Sequence, residues 1–272
     1  MTTALGRVAG WPVTTAAVAV VTADGVVDAT GPQDLPLRWA SVTKVLTALA
    51  TWVAIEEGTV GLDEPAGPHH STVRHLLAHA SGLAFDTEAV IAVPGAKRIY
   101  SNTGIEVLAR HVGERAGIPF GDYLREGVLE PLGLTATRCD GSPAADGVGP
   151  VADLARLAVE LQAPTLVSPA TLAEATTVAF PGLVGILPGF GRQDPNDWGL
   201  GVELRDHKAP HWTPTSASPR TFGHFGQAGG FLWVDPDAGV ACACLTDRDF
   251  GPWAAEQWPR LGADVLASHG RR

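Results

Sequence analysis

Segments that alternate like strands sit at both ends of this 272-residue chain, and helical patterning fills most of the space between them. Val13 to Val21 and Gly25 to Ala29, joined by Ala23-Asp24-Gly25, predict an opening hairpin, because Asp-Gly favours a tight two-strand turn. Trp198 to Leu204, Phe231 to Val234 and Val240 to Thr246 alternate in the same way, with Asp235-Pro236-Asp237-Ala238-Gly239 as the turn between the last two. A chain so arranged can complete one sheet only by bringing its two ends together, with the middle set aside as an insertion.

The middle supports that division. Val42, Val45, Leu46, Leu49 and Val53 fall at helical spacing and end at Gly58, and their wide spread around the axis predicts a buried central helix. Further helical signals cover Val73 to His79, Ile105 to Gly117, Phe120 to Leu129 and Val151 to Leu161, and Ser168-Pro169 reads as a cap with proline at the first helical position. Segments 181–196 and 207–220, dense in Gly, Pro, Ser and Thr, predict surface loops that could wall a pocket. A last helix is expected over Pro252 to Ala267, interrupted or kinked near Pro259.

The expected fold is therefore α/β of the α+β type, a mainly antiparallel sheet built from both termini and flanked by helices, with an inserted all-α subdomain. Residues 1–60 and 197–272 form the sheet domain and 61–196 the insertion, with the site at their junction.

With 45% hydrophobic residues the chain can fill a large core, yet no apolar run approaches the roughly 20 residues that span a bilayer. No leader-like segment opens it, which predicts a cytoplasmic protein. Cys139, Cys242 and Cys244 are an odd set, and the last two share one strand face, so structural disulfides are not expected. A formal charge of −10 without any basic run excludes nucleic acid and anionic membrane surfaces as partners and fits a small neutral substrate.

The chemistry is concentrated in Ser41-Val42-Thr43-Lys44. A serine hydroxyl is a weak nucleophile until a base takes its proton, and a lysine serves only if its ammonium is destabilised. Spacing of i,i+3 puts both on one helix face, and a helix starting at Ser41 would add free N–H groups for an oxyanion and a dipole that disfavours protonated Lys44. The bland alternative is a helix-capping Ser41 beside a solvated Lys44. Chance gives about 0.1 S-x-x-K matches in this composition and about 0.015 for the Tyr100-Ser101-Asn102 pattern, so the pair together argues for a site.

These motifs resemble those of the serine β-lactamase and penicillin-binding-protein-like superfamily, in its class C-like branch of β-lactamases, D-alanyl carboxypeptidases and esterases. Thr72-Val73-Arg74-His75-Leu76-Leu77-Ala78-His79-Ala80-Ser81-Gly82-Leu83, Tyr100-Ser101-Asn102-Thr103-Gly104 and Pro131-Leu132-Gly133-Leu134 are similar to three further segments of that family. The resemblance runs from about Ala16 to Thr246. Its third motif is matched by His224-Phe225-Gly226, preferred to His111-Val112-Gly113 because it lies late, just before the closing strands.

The resemblance implies that Ser41 is acylated, that Lys44 keeps its proton mobile, and that Tyr100 is general base and then acid to the leaving group. Asn102 would orient the substrate, His224 would support Tyr100, and the backbone N–H groups of Ser41 and of Gln227, after Gly226, would form the oxyanion hole. A histidine where the family usually carries a lysine for the β-lactam carboxylate shifts the expected activity toward small esters, with β-lactam or D-alanyl-D-alanine amide hydrolysis as the alternative. A catalytically silent ligand-binding or self-assembling member of the fold is the alternative of another class.

Other chemistries find less support. His75 and His79 have zinc-helix spacing, but Leu76 stands where a general base would be, so no metal is expected and His79 reads as structural. There is no Gly-x-Ser-x-Gly elbow, and Gly199-Leu200-Gly201 is too short for a dinucleotide site, so no cofactor is implied. The partner is a small-molecule acyl substrate; the sequence sets no oligomeric state.

Overall fold

The computed structural model describes residues 4–271. A 3-10 turn over Ala4–Gly10 leads to β1 (Ala16–Thr22) and β2 (Gly25–Thr30), then β3 (Leu37–Arg38), a single 3-10 turn over Ala40–Val42, and α1 (Thr43–Glu56). Residues 61–196 carry α2 (Val73–Leu77), α3 (Asn102–Ala116), α4 (Phe120–Leu124, continued by a π turn over Arg125–Leu129), β4 (Arg138–Cys139), β5 (Gly147–Gly149), α5 (Val151–Glu160), α6 (Pro169–Ala175) and the hairpin β6 (Gly185–Leu187) and β7 (Gly191–Gln193). β8 (Glu203–Leu204), β9 (Phe222–Gly226), β10 (Gly230–Asp235), β11 (Val240–Thr246) and α7 (Pro252–His269) complete the chain.

Both termini do build one sheet. Its strand order is β2-β1-β11-β10-β9-β8, antiparallel throughout, and the central pairing sets Val18 opposite Cys244 and Val20 opposite Cys242. Every side chain of β11 is buried, so the strand's period of two divides its residues between two cores rather than between core and water. Ala17, Ala19, Val21, Ala241, Ala243 and Leu245 face α1 and α5. Val18, Val20, Phe231, Trp233, Cys242 and Cys244 face Trp258, Leu261 and Val265 of α7. The three thiols are free.

The structure corrects several details of the expected fold. α7 runs unbroken through Pro259, held to the sheet by Trp258 and Leu261 on either side of the missing N–H. The insertion is not purely helical: β3, β5 and β4 form a three-stranded sheet that ties residues 37–38 to 138–149. α5, within the insertion, packs on β1, β10 and β11. The expected strand over 198–204 shortens to β8, because Gly201 adopts φ 90° and passes so close to α1 that a Cβ there would lie 2.4 Å from that of Ala48. Segment 181–196 contains the β6–β7 hairpin, and segment 207–220 is not a solvated loop, since Lys208, His211, Trp212 and Thr213 are buried in it. No described helix is long and apolar enough to cross a membrane.

Candidate active site

The turn that carries Ser41 is built by local bonds and by close approach of glycines. The Trp39 N–H donates to Gly147 O at 2.8 Å and its indole to Gly149 O at 3.0 Å, which fixes the chain just before the 3-10 turn. Ala40 sits at φ 45°, a conformation costly for any residue with a Cβ, and the bond from Thr43 Oγ1 to Ala40 O at 2.6 Å locks it there. The helix proper begins at Thr43, not Ser41, but the 3-10 turn still brings Ser41 and Lys44 onto one face.

Lys44 is fully buried, and its Nζ has three oxygen neighbours: Ser41 Oγ at 3.2 Å, Asn102 Oδ1 at 2.6 Å and Ala144 O at 2.8 Å. It also lies 4.8 Å from the centre of the Tyr100 ring. Burial pulls its pKa down to about 7, outweighing the charges of Glu106 and Asp86. Two of the three neighbours, the amide oxygen and the backbone carbonyl, can only accept. A neutral amine satisfies both with its remaining N–H bonds and turns its lone pair toward Ser41.

Tyr100 and Asn102 are delivered by the start of α3. Ser101 caps that helix, accepting from Gly104 N at 2.8 Å and donating to Ala84 O at 2.6 Å. Tyr100 thereby reaches Ser41 and Asn102 reaches Lys44, and Asn102 Nδ2 donates to Asp86 Oδ1 at 3.0 Å, which orients its oxygen toward Lys44. Burial pushes the Tyr100 phenol well above its usual range, only partly opposed by a hydrogen bond with Ser41.

His79 and His224 stand beside Tyr100, with ring centres 4.7 and 5.8 Å from it. His79, at φ 52°, accepts from Ser101 N at 3.2 Å through Nδ1, so it shapes the start of α3. His224 Nδ1 lies 2.7 Å from Phe225 O, which makes it the donor and leaves Nε2 as a lone pair. Among the described residues, Nε2 of each has no hydrogen-bond partner. Burial, then the nearby Lys44, lowers His224 to about 3, so it is a neutral ring. His75 points elsewhere, against Phe180 and Thr72, and no described group of three or more His, Cys, Asp or Glu could hold a metal ion.

Gly226 ends β9 against the turn that carries Ser41. A Cβ there would meet Trp39 O at 2.2 Å and Ser41 N at 3.2 Å, so only glycine lets this strand end lie beside the Ser41 amide, with Gln227 next in the chain. Ser41, Tyr100, His224 and Gln227 then line one cavity of about 280 Å³, together with Phe85 and Trp198. All seven residues that the sequence singles out converge on this place.

Three contributors are not among the candidate site residues read from the sequence. Ala144 offers only a backbone carbonyl and has no side-chain signature. Trp198, fully buried, forms a wall through ring contacts with His79, Tyr100 and His224. Glu203 reaches the cavity as a lone acid in β8, held from behind by Lys208 Nζ at 2.6 Å, His211 Nε2 at 2.9 Å and the Trp212 indole. Burial opposes its ionisation, but the charges of His211 and Lys208 outweigh that and hold its carboxyl well below the usual range.

A sheet closed by both termini, with a lysine buried against a serine and a tyrosine ring beside that lysine, fits a protein of the serine β-lactamase and penicillin-binding-protein-like type, and comparison with known proteins agrees on that class. A sequence profile described as Beta-lactamase matches residues 9–267. The chain belongs to the beta-lactamase family.

It is similar to a β-lactamase of known crystal structure from Mycobacterium bovis, 54% identical, with a TM-score of 0.98 over 99% of this chain and 100% of that one. Penicillin-binding protein 4* of Bacillus subtilis (strain 168) is 26% identical over 36% of this chain and 29% of its own length, so the match spans less than a third of that relative. EstCE1, described as a hydrolase with promiscuous acyltransferase activity, shares the fold at a TM-score of 0.79 and 19% identity, over 97% of this chain and 98% of that one.

Proposed function

We propose that the protein hydrolyses small neutral esters through an acyl-enzyme on Ser41. The observation that carries this reading is the buried Lys44, with two acceptor neighbours and a serine hydroxyl as its third, because that set of partners matches a neutral amine acting as base. Lys44 takes the Ser41 proton as Oγ attacks the substrate carbonyl, and the amides of Ser41 and Gln227 receive the oxyanion, each worth roughly 3 kcal/mol of barrier. Tyr100, too buried to stand as a phenolate, relays that proton to the leaving alcohol. The base role that the resemblance gives to Tyr100 is therefore assigned to Lys44 for acylation. Water then attacks the acyl group, its proton returning along the same path, and releases the acid.

Charge supports a neutral substrate. No Lys or Arg lines the cavity among the described residues, its histidine is neutral, and the Glu203 carboxylate is already paired with Lys208, so a substrate carboxylate finds no cation in the lining. Against this stands the relative from Mycobacterium bovis, described as a β-lactamase, which supports β-lactam amides as the second substrate class.

The test is intact-protein mass after brief exposure to p-nitrophenyl butyrate, a chromogenic cephalosporin and a fluorophosphonate, alongside Ser41→Ala. A mass increase lost in the variant, with turnover of the ester, is expected. Turnover of the cephalosporin in preference reverses the substrate assignment, and no adduct from any reagent leaves a ligand-binding protein without chemistry.

A further inference from the structure

Beside the catalytic cavity lies a larger groove of about 940 Å³ that the mechanism does not use. The two spaces share Phe85, Tyr100 and Pro188, and the groove touches neither Ser41 nor Gln227. Its floor is a backbone bridge between Arg98 and Gly185, where Arg98 N donates to Val184 O at 3.0 Å and the guanidinium is buried against the carbonyls of Asn196, Ala179 and Phe180. Arg98 is thereby held away from the open space, and the charged side chains that also line the groove are the exposed Lys97 and Arg192, the latter bonded to Asp194 at 2.9 Å.

The rest of the lining is mostly apolar and faces water. Ile91 is 63% exposed, Ile186 58% and Phe85 49%, and together with Ile99, Leu183 and Val184 they face the same space. Single exposed apolar side chains are ordinary, but a cluster opening directly onto a reactive serine marks where substrate surface is covered.

Building on the proposed acyl-enzyme, we infer that this groove binds the alcohol half of the ester, and that the preferred substrates carry an extended apolar alcohol on a short acyl group. The direction follows from Tyr100. The leaving oxygen departs beside the residue that protonates it, and Tyr100 is also the wall through which the cavity opens into the groove. The acyl carbon is held on the opposite side of the reacting bond, between Ser41 and Gln227, in the smaller cavity. In acylation the Ser41 Oγ–acyl bond forms, the ester C–O bond breaks, and the proton lost by Ser41 passes to the alcohol oxygen, so the alcohol leaves neutral along an apolar path.

Two ester series separate this from its alternatives, with acid release as the readout: n-alkyl butyrates from ethyl to octyl, and ethyl esters of acids from butyrate to decanoate. Full burial of a methylene is worth about fourfold in binding, and an open groove about half of that advantage, so kcat/KM is expected to rise at least about tenfold along the alcohol series and to stay level or fall along the acid series. Ile91→Asp and Ile186→Asp, at positions already facing water, should flatten the alcohol slope.

A slope in the acid series instead, or none in either while Ser41 still acylates, overturns the groove assignment and leaves the hydrolase reading standing. An alcohol slope unchanged in both variants also overturns it, as does a shift from dimer to monomer in Ile91→Asp by sedimentation without any change of slope, which would make the patch a self-association face. Absence of any Ser41 adduct instead removes the hydrolase reading itself.

Discussion

A Cβ on Gly226 would lie 2.2 Å from the carbonyl oxygen of Trp39, two residues before Ser41. The end of β9 and the turn carrying Ser41 thus touch backbone to backbone, and the position of the Gln227 amide depends on that contact. Gly226→Ala must push the strand away. The expected result is a fall in kcat of about 10² to 10³ with a smaller change in KM, since a displaced donor is missed most in the transition state. Wild-type kcat in this variant would remove Gln227 from the proposed oxyanion hole.

Ser101 lies between Tyr100 and Asn102 and bonds to Gly104 N and Ala84 O. Ser101→Ala removes a helix cap and an anchor together. A loss of about 1–2 kcal/mol in urea denaturation is expected, accompanied by a lower kcat because both flanking side chains are placed by that turn. Lost stability with kcat unchanged would show that α3 positions them without its cap.

Behind the cavity, Lys208→Met leaves Glu203 ionised, buried and short of a partner. The cost is expected to be about 3–5 kcal/mol, read as a melting temperature lower by roughly 10 °C. The double variant with Glu203→Gln should recover part of it. Because the folded state holds the Glu203 carboxyl below its unfolded value of 4.5, its contribution is complete above that pH and is lost as pH falls toward the folded value. Equal melting curves for wild type and Lys208→Met would show that the pair does not hold segment 207–220 in place.

Local chemistry was legible in the sequence and long-range support was not. Ser41 and Lys44 are three residues apart, so any helical turn brings them together, and Tyr100 and Asn102 bracket a serine that caps the next helix. The two-ended sheet followed from alternation in Val13 to Val21 and Val240 to Thr246. By contrast, nothing local marks Ala144, whose carbonyl meets Lys44 across a hundred residues. Glu203 shows its role only through Lys208 and His211, which sit in a stretch whose Pro, Ser and Thr content reads as surface. The apolar groove is equally non-local, since the segments around Ile91 and Ile186 are brought together by the bridge between Arg98 and Gly185.

If a neutral Lys44 activates Ser41, the rate of acyl-enzyme formation must change with pH between 5 and 9. Burial lowers Lys44 to about 7, so the reactive neutral form grows as pH rises through that value. Acid-quenched samples should show acylation of Ser41 increasing about tenfold per unit below pH 7, levelling above it, and falling at least about 10³-fold in Lys44→Arg, whose charge cannot be shed. A rate independent of pH across this range, or Lys44→Arg acylating as fast as wild type, would show that Lys44 is not the base.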